Sequence, residues 1–168
     1  IENLISELSK VECGGGDDEP EDWVGALNLA LNELEWRKRS KKIIVWISDS
    51  NAHGKRFCGF DNHNEEEIKM NYLVEMIANR EINFLGINLI KNNKGDGCEK
   101  TLNEMKKIYD ECASKSGQSK PLNFLIHNFK VDYDESVYGE DNWPGELMEK
   151  LYIQLSQQLK NMIELFEF

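Results

Sequence analysis

The hydrophobic residues of this chain follow two patterns. Three short runs are predominantly apolar, as strands inside a parallel sheet are, and they cover residues 43–47, 84–90 and 122–129. The first run is continuously apolar and rich in β-branched residues. Between and around them, apolar residues recur every three or four positions, which is typical of amphipathic helices. These helical stripes cover residues 1–8, 23–36, 65–80, 102–112 and the segment from Pro144 onwards.

The stripes also predict which side of a helix is buried. In the helix predicted over residues 23–36, the buried side carries Val24, Leu27, Leu31 and Leu34. In the helix predicted over residues 65–80, it carries Ile68, Tyr72, Leu73, Met76 and Ile77.

The alternation of strands with helices predicts right-handed crossovers between parallel strands. The expected fold class is therefore α/β, a doubly wound, Rossmann-like sheet with helices on both faces. The strand over residues 43–47 looks central and buried on both faces. If both later strands lie on one side of it, its other edge is open and apolar, which natural proteins avoid. We therefore expect that N-terminal strands of the sheet are missing from this chain or are supplied by another chain.

Composition limits the classes of function. The 168 residues fit one domain, and 20 basic against 31 acidic side chains give a net charge of −11. This balance argues against binding to nucleic acid or anionic membranes and is compatible with cation binding. No apolar run approaches the roughly 18 residues of a membrane span. The four cysteines are scattered without a C-x-x-C pair, which favours reduced thiols and a cytoplasmic location.

The strand over residues 43–47 is followed by four short polar residues, Ser48, Asp49, Ser50 and Asn51. Ligands of open α/β sheets bind outside the carboxyl ends of the strands, so Asp49 stands where a functional carboxylate is expected. The alternative is that Asp49 only caps the following turn.

Two sequence motifs together resemble a known family. The first is GGGDDEPED at residues 14–22, followed by a helix that ends near Trp36. The second is IIVWISDSNAHGKRF at residues 43–57. With this spacing the chain resembles the C-terminal portion of a von Willebrand factor type A domain, in the subgroup associated with atypical alpha-type protein kinases. The resemblance implies one partial domain over residues 1–168, with a sheet-and-helix portion at 1–143 and a long C-terminal helix at 144–168.

The resemblance also implies a metal-ion-dependent adhesion site. By position, Asp49 is the ligand from one loop, and Asp18 is the ligand from another, with Glu21 as the other candidate. Hard oxygen ligands of this kind suit Mg²⁺, Mn²⁺ or Ca²⁺. The D-x-S-x-S loop of the family is absent; the nearest string, at residues 134–136, lies beyond the last strand. Ser50 and His53 are expected to shape the loop around Asp49 or to face the ligand.

Two other chemistries fit the same loop. His53, Cys58 and His63 form an H-x4-C-x4-H pattern that suggests zinc, but no fourth ligand is adjacent, and we favour a packed loop with a free thiol. Asp49 and His53 also suit the acid–base pair of a metal-assisted hydrolase, with Ser48 or Ser50 as nucleophile. No G-x-S-x-G elbow, P-loop or dinucleotide fingerprint accompanies them.

The function that the resemblance implies is a non-catalytic protein–protein interaction domain. Its metal ion would leave one coordination position for an acidic side chain of the protein partner, and no nucleic acid or membrane is involved. The parent polypeptide would carry an alpha-type kinase, and the missing N-terminal half would complement this chain. The alternatives are the hydrolase with Asp49 and His53, and a degenerate scaffold domain without metal.

Overall fold

Helices and strands alternate along the chain in the computed structural model, which describes residues 18–91, 97–115, 124–131 and 145–164. The elements are α1 (Trp23–Asn32), β1 (Lys42–Ser48), α2 (Asn64–Asn79), β2 (Ile82–Lys91), α3 (Glu99–Lys115), β3 (Phe124–Val131) and α4 (Gly145–Glu164). The helix predicted over residues 1–8, the glycines of the first motif and the string at 134–136 lie outside the described residues.

The three strands form one parallel sheet in the order β1-β2-β3. Each paired residue of β1 faces the residue 40 positions later in β2, and each paired residue of β2 faces the residue 40 positions later in β3. A helix connects each pair of strands, α2 between β1 and β2 and α3 between β2 and β3. The prediction of an α/β, Rossmann-like fold is therefore confirmed.

One face of the sheet carries the main hydrophobic core. Helix α2 packs between α1 and α3, and the three helices cover this face. Aromatic rings cross the sheet beneath them: Trp46 stacks on Phe84 with centroids 6.5 Å apart, and Phe84 stacks on Phe124 at 4.5 Å. A Cβ atom at Gly86 would lie 2.5 Å from the Leu102 side chain, so glycine there lets α3 approach the sheet closely.

The opposite face of the sheet is buried unevenly. Leu85 and Ile87 of the middle strand are fully buried, and α4 approaches this face where the imidazole of His127 lies 3.2 Å from the Gln154 side-chain oxygen. On β1 the corresponding side chains remain in contact with solvent, with Val45 38% and Ile47 44% exposed. Helices therefore lie on both faces of the sheet, but the second face is open at β1.

The prediction that residues 43–47 form a central strand buried on both faces is wrong for the described sheet. Both later strands lie on one side of β1, which is an edge strand here. In this strand Ile44 is buried, whereas Val45 and Ile47 are exposed. Both later strands on one side is the arrangement from which we inferred that further strands of the sheet are missing or come from another chain, and that inference stays a prediction.

Two predicted helix faces also need correction. Helix α1 ends at Asn32 rather than near Trp36, because the Trp36 indole donates to the Ala30 carbonyl at 2.8 Å and folds the chain back over the helix end. Leu34, beyond that end, is exposed.

In α2 the predicted face is displaced around the helix. Ile68 is 73% and Tyr72 is 62% exposed, and both line a surface groove of about 710 Å³ between α1 and α2. The buried residues of α2 are Met70, Leu73, Val74, Ile77 and Ala78. Since α2 packs against both α1 and α3, its buried face is the one directed between those two helices. None of the helices in the part of the chain described here is long and apolar enough to cross a membrane.

Candidate functional site

The loop that follows β1, residues 49–63, is held on one side by the acidic segment at 18–22. Glu21 forms a parallel bridge with Ala52, and its backbone N–H donates to the Asn51 carbonyl at 2.9 Å. The Ser50 hydroxyl donates to the Glu19 carbonyl. The segment thus runs beside the loop like a short additional strand.

Thr101, at the start of α3, holds the same loop from the other side. Its hydroxyl accepts the Ala52 backbone N–H at 3.0 Å and donates to the Asn51 side-chain oxygen at 2.8 Å. The Asn51 amide group in turn donates to the Gly97 carbonyl at 3.0 Å. Thr101 is fully buried, so these bonds are shielded from water and fix the chain just before His53.

A tight turn follows at Gly54. Its φ angle of +111° favours glycine, and its carbonyl accepts the N–H groups of Phe57 and Cys58 at 2.9 and 2.8 Å. A Cβ atom at this position would lie 2.7 Å from the Glu67 side chain. Phe57 and Cys58 are buried, which anchors the turn in the core and leaves His53 at its edge.

Arg56 fastens the turn to two helices. Its backbone N–H donates to Glu67 at 2.8 Å, and its guanidinium donates to Asn71 at 3.0 Å and to Glu104 of α3 at 2.7 Å. The Glu104 carboxylate also accepts a hydrogen bond from the Lys107 ammonium group. Charge-assisted bonds from a planar guanidinium define an orientation well, so the loop has little freedom at this point.

We expect the contribution of Glu104 to stability to depend on pH. Its hydrogen bonds to Lys107 and Arg56 hold the pKa of Glu104 below its ordinary value of 4.5. A carboxyl group with a lowered folded-state pKa stabilises the fold above its unfolded pKa and loses that contribution as pH falls through the folded value. Urea denaturation at pH 7 should therefore show Glu104→Gln to be less stable by about 0.5–1 kcal/mol, and the difference should shrink below about pH 4.

The control for this measurement is Asp110→Asn, which removes the exposed ion pair between Lys106 and Asp110 on the same helix. It should change stability much less, because exposed pairs on helices contribute little. A deficit in Glu104→Gln that is the same at every pH would contradict the explanation.

Asp61 is the buried carboxylate of the loop. It is 8% exposed, accepts the backbone N–H of Gly54 at Oδ2, and lies 2.7 Å from His63 Nδ1 through Oδ1. Burial by itself would raise the pKa of Asp61, but the hydrogen bonds from the Gly54 amide and from His63 outweigh it and hold that pKa well below its usual range. Asp61 is therefore an ionised carboxylate inside the fold.

Two histidines flank this carboxylate. Their ring centroids are 4.7 Å apart at an interplanar angle of 73°. The hydrogen bond to Asp61 raises the pKa of His63, and the negative charges of Asp61, Glu65 and Asp18 act in the same direction. His53 Nδ1 is 3.5 Å from Asp61 Oδ1, which is too long for a good hydrogen bond, and this buried nitrogen has no hydrogen-bond partner among the residues that the structure describes.

The three predicted oxygen ligands lie around this loop, and each has different surroundings. Asp49 is exposed at the carboxyl end of β1, and burial together with the charges of Asp49 and Glu99 raises the pKa of the Cys98 thiol to about 12. Asp18 is exposed and its charge acts on His63. Glu21 is exposed, with its backbone in the bridge to Ala52. A magnesium site at Asp49 stays a prediction, and so does the loop-shaping role of Ser50, whose hydroxyl donates to the Glu19 carbonyl.

The structure adds a residue that the sequence patterns did not single out. One donor atom from each of His53, Asp61 and His63 lies within 4.8 Å of the others. Among the described residues, this is the group of three side chains that could hold a metal ion. In the zinc alternative of the H-x4-C-x4-H pattern the middle donor would be Cys58, but that thiol is buried and burial raises its pKa. The donor that lies near both histidines is the Asp61 carboxylate. The available signal was that Asp61 stands two residues before His63, close enough to share a turn.

Comparison with known proteins gives a partial match. No protein-family model matches the chain, and no solved structure matches it. The alpha-protein kinase vwkA of Dictyostelium discoideum is 28% identical over 81 residues, which is 46% of this chain and 13% of that kinase. The chain is similar to a part of a kinase. It spans far less than two thirds of this relative, so the similarity concerns a segment and not the whole protein.

Proposed function

We propose that this chain is a von Willebrand factor A-like domain that binds a protein partner and is not itself catalytic. The observation that carries the proposal is the edge of β1, which has a neighbouring strand on one side among the strands described and which exposes Val45 and Ile47. The motifs at residues 14–22 and 43–57 and the partial similarity to an alpha-protein kinase support the family. On this proposal the parent polypeptide is alpha-kinase-linked and works in the cytoplasm.

The chemistry of the edge defines the partner. Backbone N–H and C=O groups along an edge strand pair best with another extended segment, which adds a strand to the sheet. Val45 and Ile47 are two residues apart, so both lie on one face, and a partner strand gains most by placing apolar side chains at alternate positions beside them. The partner is therefore an extended, alternately apolar polypeptide segment.

The loops at the carboxyl end of β1 supply the second part of the proposal. Asp49, Asp18 and Glu21 are exposed carboxylates, and the whole chain has a net charge of −11. A Mg²⁺ ion, or Mn²⁺ or Ca²⁺, at Asp49 would offset this charge and accept an acidic side chain of the partner. Without the ion, the same carboxylates would repel that side chain.

The contacts of His53 favour this proposal over a hydrolase. A general base must lie within hydrogen-bond distance of the group from which it takes a proton. His53 lies against the Asp61 carboxylate and the His63 ring, whereas the hydroxyls of Ser48 and Ser50 donate to the carbonyls of Ser50 and Glu19. We therefore assign no catalytic role to Asp49 and His53.

Selection from a displayed library of random peptides tests the proposal. We expect selected peptides to carry alternating apolar residues, and we expect Val45→Lys and Ile47→Lys each to weaken their binding by about tenfold or more, as measured by fluorescence polarisation. Leu29→Lys is the control, because Leu29 is an exposed leucine on α1. Peptides whose binding is indifferent to both β1 variants would contradict the edge-strand assignment.

Binding of the same peptides distinguishes the contribution of a metal ion from that of the β1 edge. If an ion at Asp49 takes part, the selected peptides also carry Asp or Glu, and their binding is lost in chelator and in Asp49→Ala. Binding that depends on Val45 and Ile47 but survives chelator would instead identify a metal-free scaffold domain.

A further inference from the structure

We propose that His53, Asp61 and His63 form a binding site for a zinc ion, separate from the Mg²⁺ site proposed at Asp49. The argument begins with distance. Zinc bonds of about 2.0–2.2 Å at tetrahedral angles place donor atoms about 3.4 Å apart. His63 Nδ1 and His53 Nδ1 lie 2.7 and 3.5 Å from the same Asp61 oxygen, so small side-chain rotations bring the set to ligand geometry.

The site has a buried carboxylate and a buried imidazole nitrogen, both directed at the same point. The Asp61 side chain is 7% exposed and its Oδ2 is fixed by the Gly54 amide, which leaves Oδ1 directed at the two imidazoles. His53 Nδ1 is buried, and none of the described residues is its hydrogen-bond partner. Buried polar atoms in folded proteins nearly always have a partner, and a metal ion between His53 and Asp61 would provide one.

The loop holds these donors in place before any ion binds. Thr101 fixes the residues directly before His53, the positive φ angle of Gly54 turns the chain, and Arg56 attaches the turn to α2 and α3. His63 immediately precedes the first residue of α2, so its backbone is fixed as well. A preformed site loses less conformational entropy on binding than a flexible loop.

The surrounding charge and exposure favour a cation. Asp18 and Glu65 act electrostatically on His63, and Glu19 and Asp61 act on the thiol of Cys58. The His63 side chain is 55% exposed, which provides a path for the ion from solvent. Binding replaces the contact between His63 and Asp61 by a bond from each residue to the metal.

The donor types select the metal. Two imidazole nitrogens and one carboxylate oxygen suit Zn²⁺, whereas Mg²⁺ and Ca²⁺ prefer oxygen donors throughout. Three protein ligands leave the fourth tetrahedral position to water or to an acidic group from outside. The ion would therefore hold the loop together and keep one coordination position open to solvent.

Isothermal titration of the whole chain with zinc chloride tests this inference. We expect one Zn²⁺ per chain, no comparable binding of Mg²⁺, and a loss of affinity of about 100-fold or more in His63→Ala. His63 is exposed enough for its substitution to leave the fold intact, which a thermal melt verifies. Co²⁺ provides a second readout, because its visible absorption reports a low-coordinate site with nitrogen ligands.

Three control variants distinguish this site from its alternatives. Asp49→Ala should keep zinc affinity, so failure of the magnesium proposal and failure of the zinc proposal give different results. Cys58→Ser should keep it as well, since the thiol is not one of the donors. His127→Ala removes a histidine of β3 and should have no effect. Zinc affinity that is unchanged in His63→Ala, or that disappears in Cys58→Ser, would overturn the assignment.

Discussion

Replacing Trp23 by alanine is expected to lower the free energy of unfolding by about 3–5 kcal/mol. Trp23 is fully buried, and its ring packs against Trp46 with centroids 4.7 Å apart. Its indole N–H also donates to the Ser50 carbonyl at 3.2 Å. Truncation therefore creates a large cavity under β1 and releases the loop after it, and urea denaturation at neutral pH measures the loss.

Two further variants divide this effect into its parts. Trp23→Phe keeps an aromatic ring but loses the bond to Ser50, so we expect an intermediate loss of stability. Leu29→Ala, on the exposed side of α1, should change stability by no more than about 0.5 kcal/mol. If Trp23→Ala were as mild as Leu29→Ala, the packing of α1 on the sheet would be different from that described.

Replacing Thr101 by valine is expected to cost about 2 kcal/mol, although the two side chains have nearly the same shape. The change removes the acceptor of the Ala52 N–H, and Ala52 is fully buried, so the amide is left without a partner. Asn51 also loses one of its two donors from Thr101. Urea denaturation measures the loss, and hydrogen exchange at the Ala52 amide locates it.

Thr101→Ser is the matched variant, because it keeps the hydroxyl and removes only a methyl group. It should cost about 1 kcal/mol and leave the protection of the Ala52 amide unchanged. A serine variant less stable than the valine variant would mean that packing, and not the hydrogen bonds of Thr101, holds the loop.

The fold class could be predicted from the sequence because strands and helices differ in period. The apolar runs that became β1, β2 and β3 are short, the first is rich in β-branched residues, and the stripes between them have helical spacing. The stripes do not determine which side of each helix is buried. Ile68 and Tyr72 fit the stripe of α2 as well as Met70 and Val74 do, and only the positions of α1 and α3 decide which pair is buried.

The sequence pointed to part of the candidate site, but a packed loop was favoured there over a zinc site. His53 and His63 were noticed because of their spacing in one loop. Asp61 was not, because nothing local indicates that its carboxylate is buried. Its position depends on the turn at Gly54, and that turn depends on Arg56 reaching Glu104 in a helix 48 residues away. Contacts at that sequence separation are set by tertiary structure.

The constant separation of 40 residues between paired strand positions has a consequence for folding during synthesis. Strand order follows chain order, so during synthesis each strand emerges after the neighbour on which it adds. The sheet can therefore assemble progressively from the amino-terminal side, and β2 and β3 do not compete for the outer edge of β1. On the function proposed above, a partner strand would therefore add at the outer edge of β1 without displacing β2 or β3.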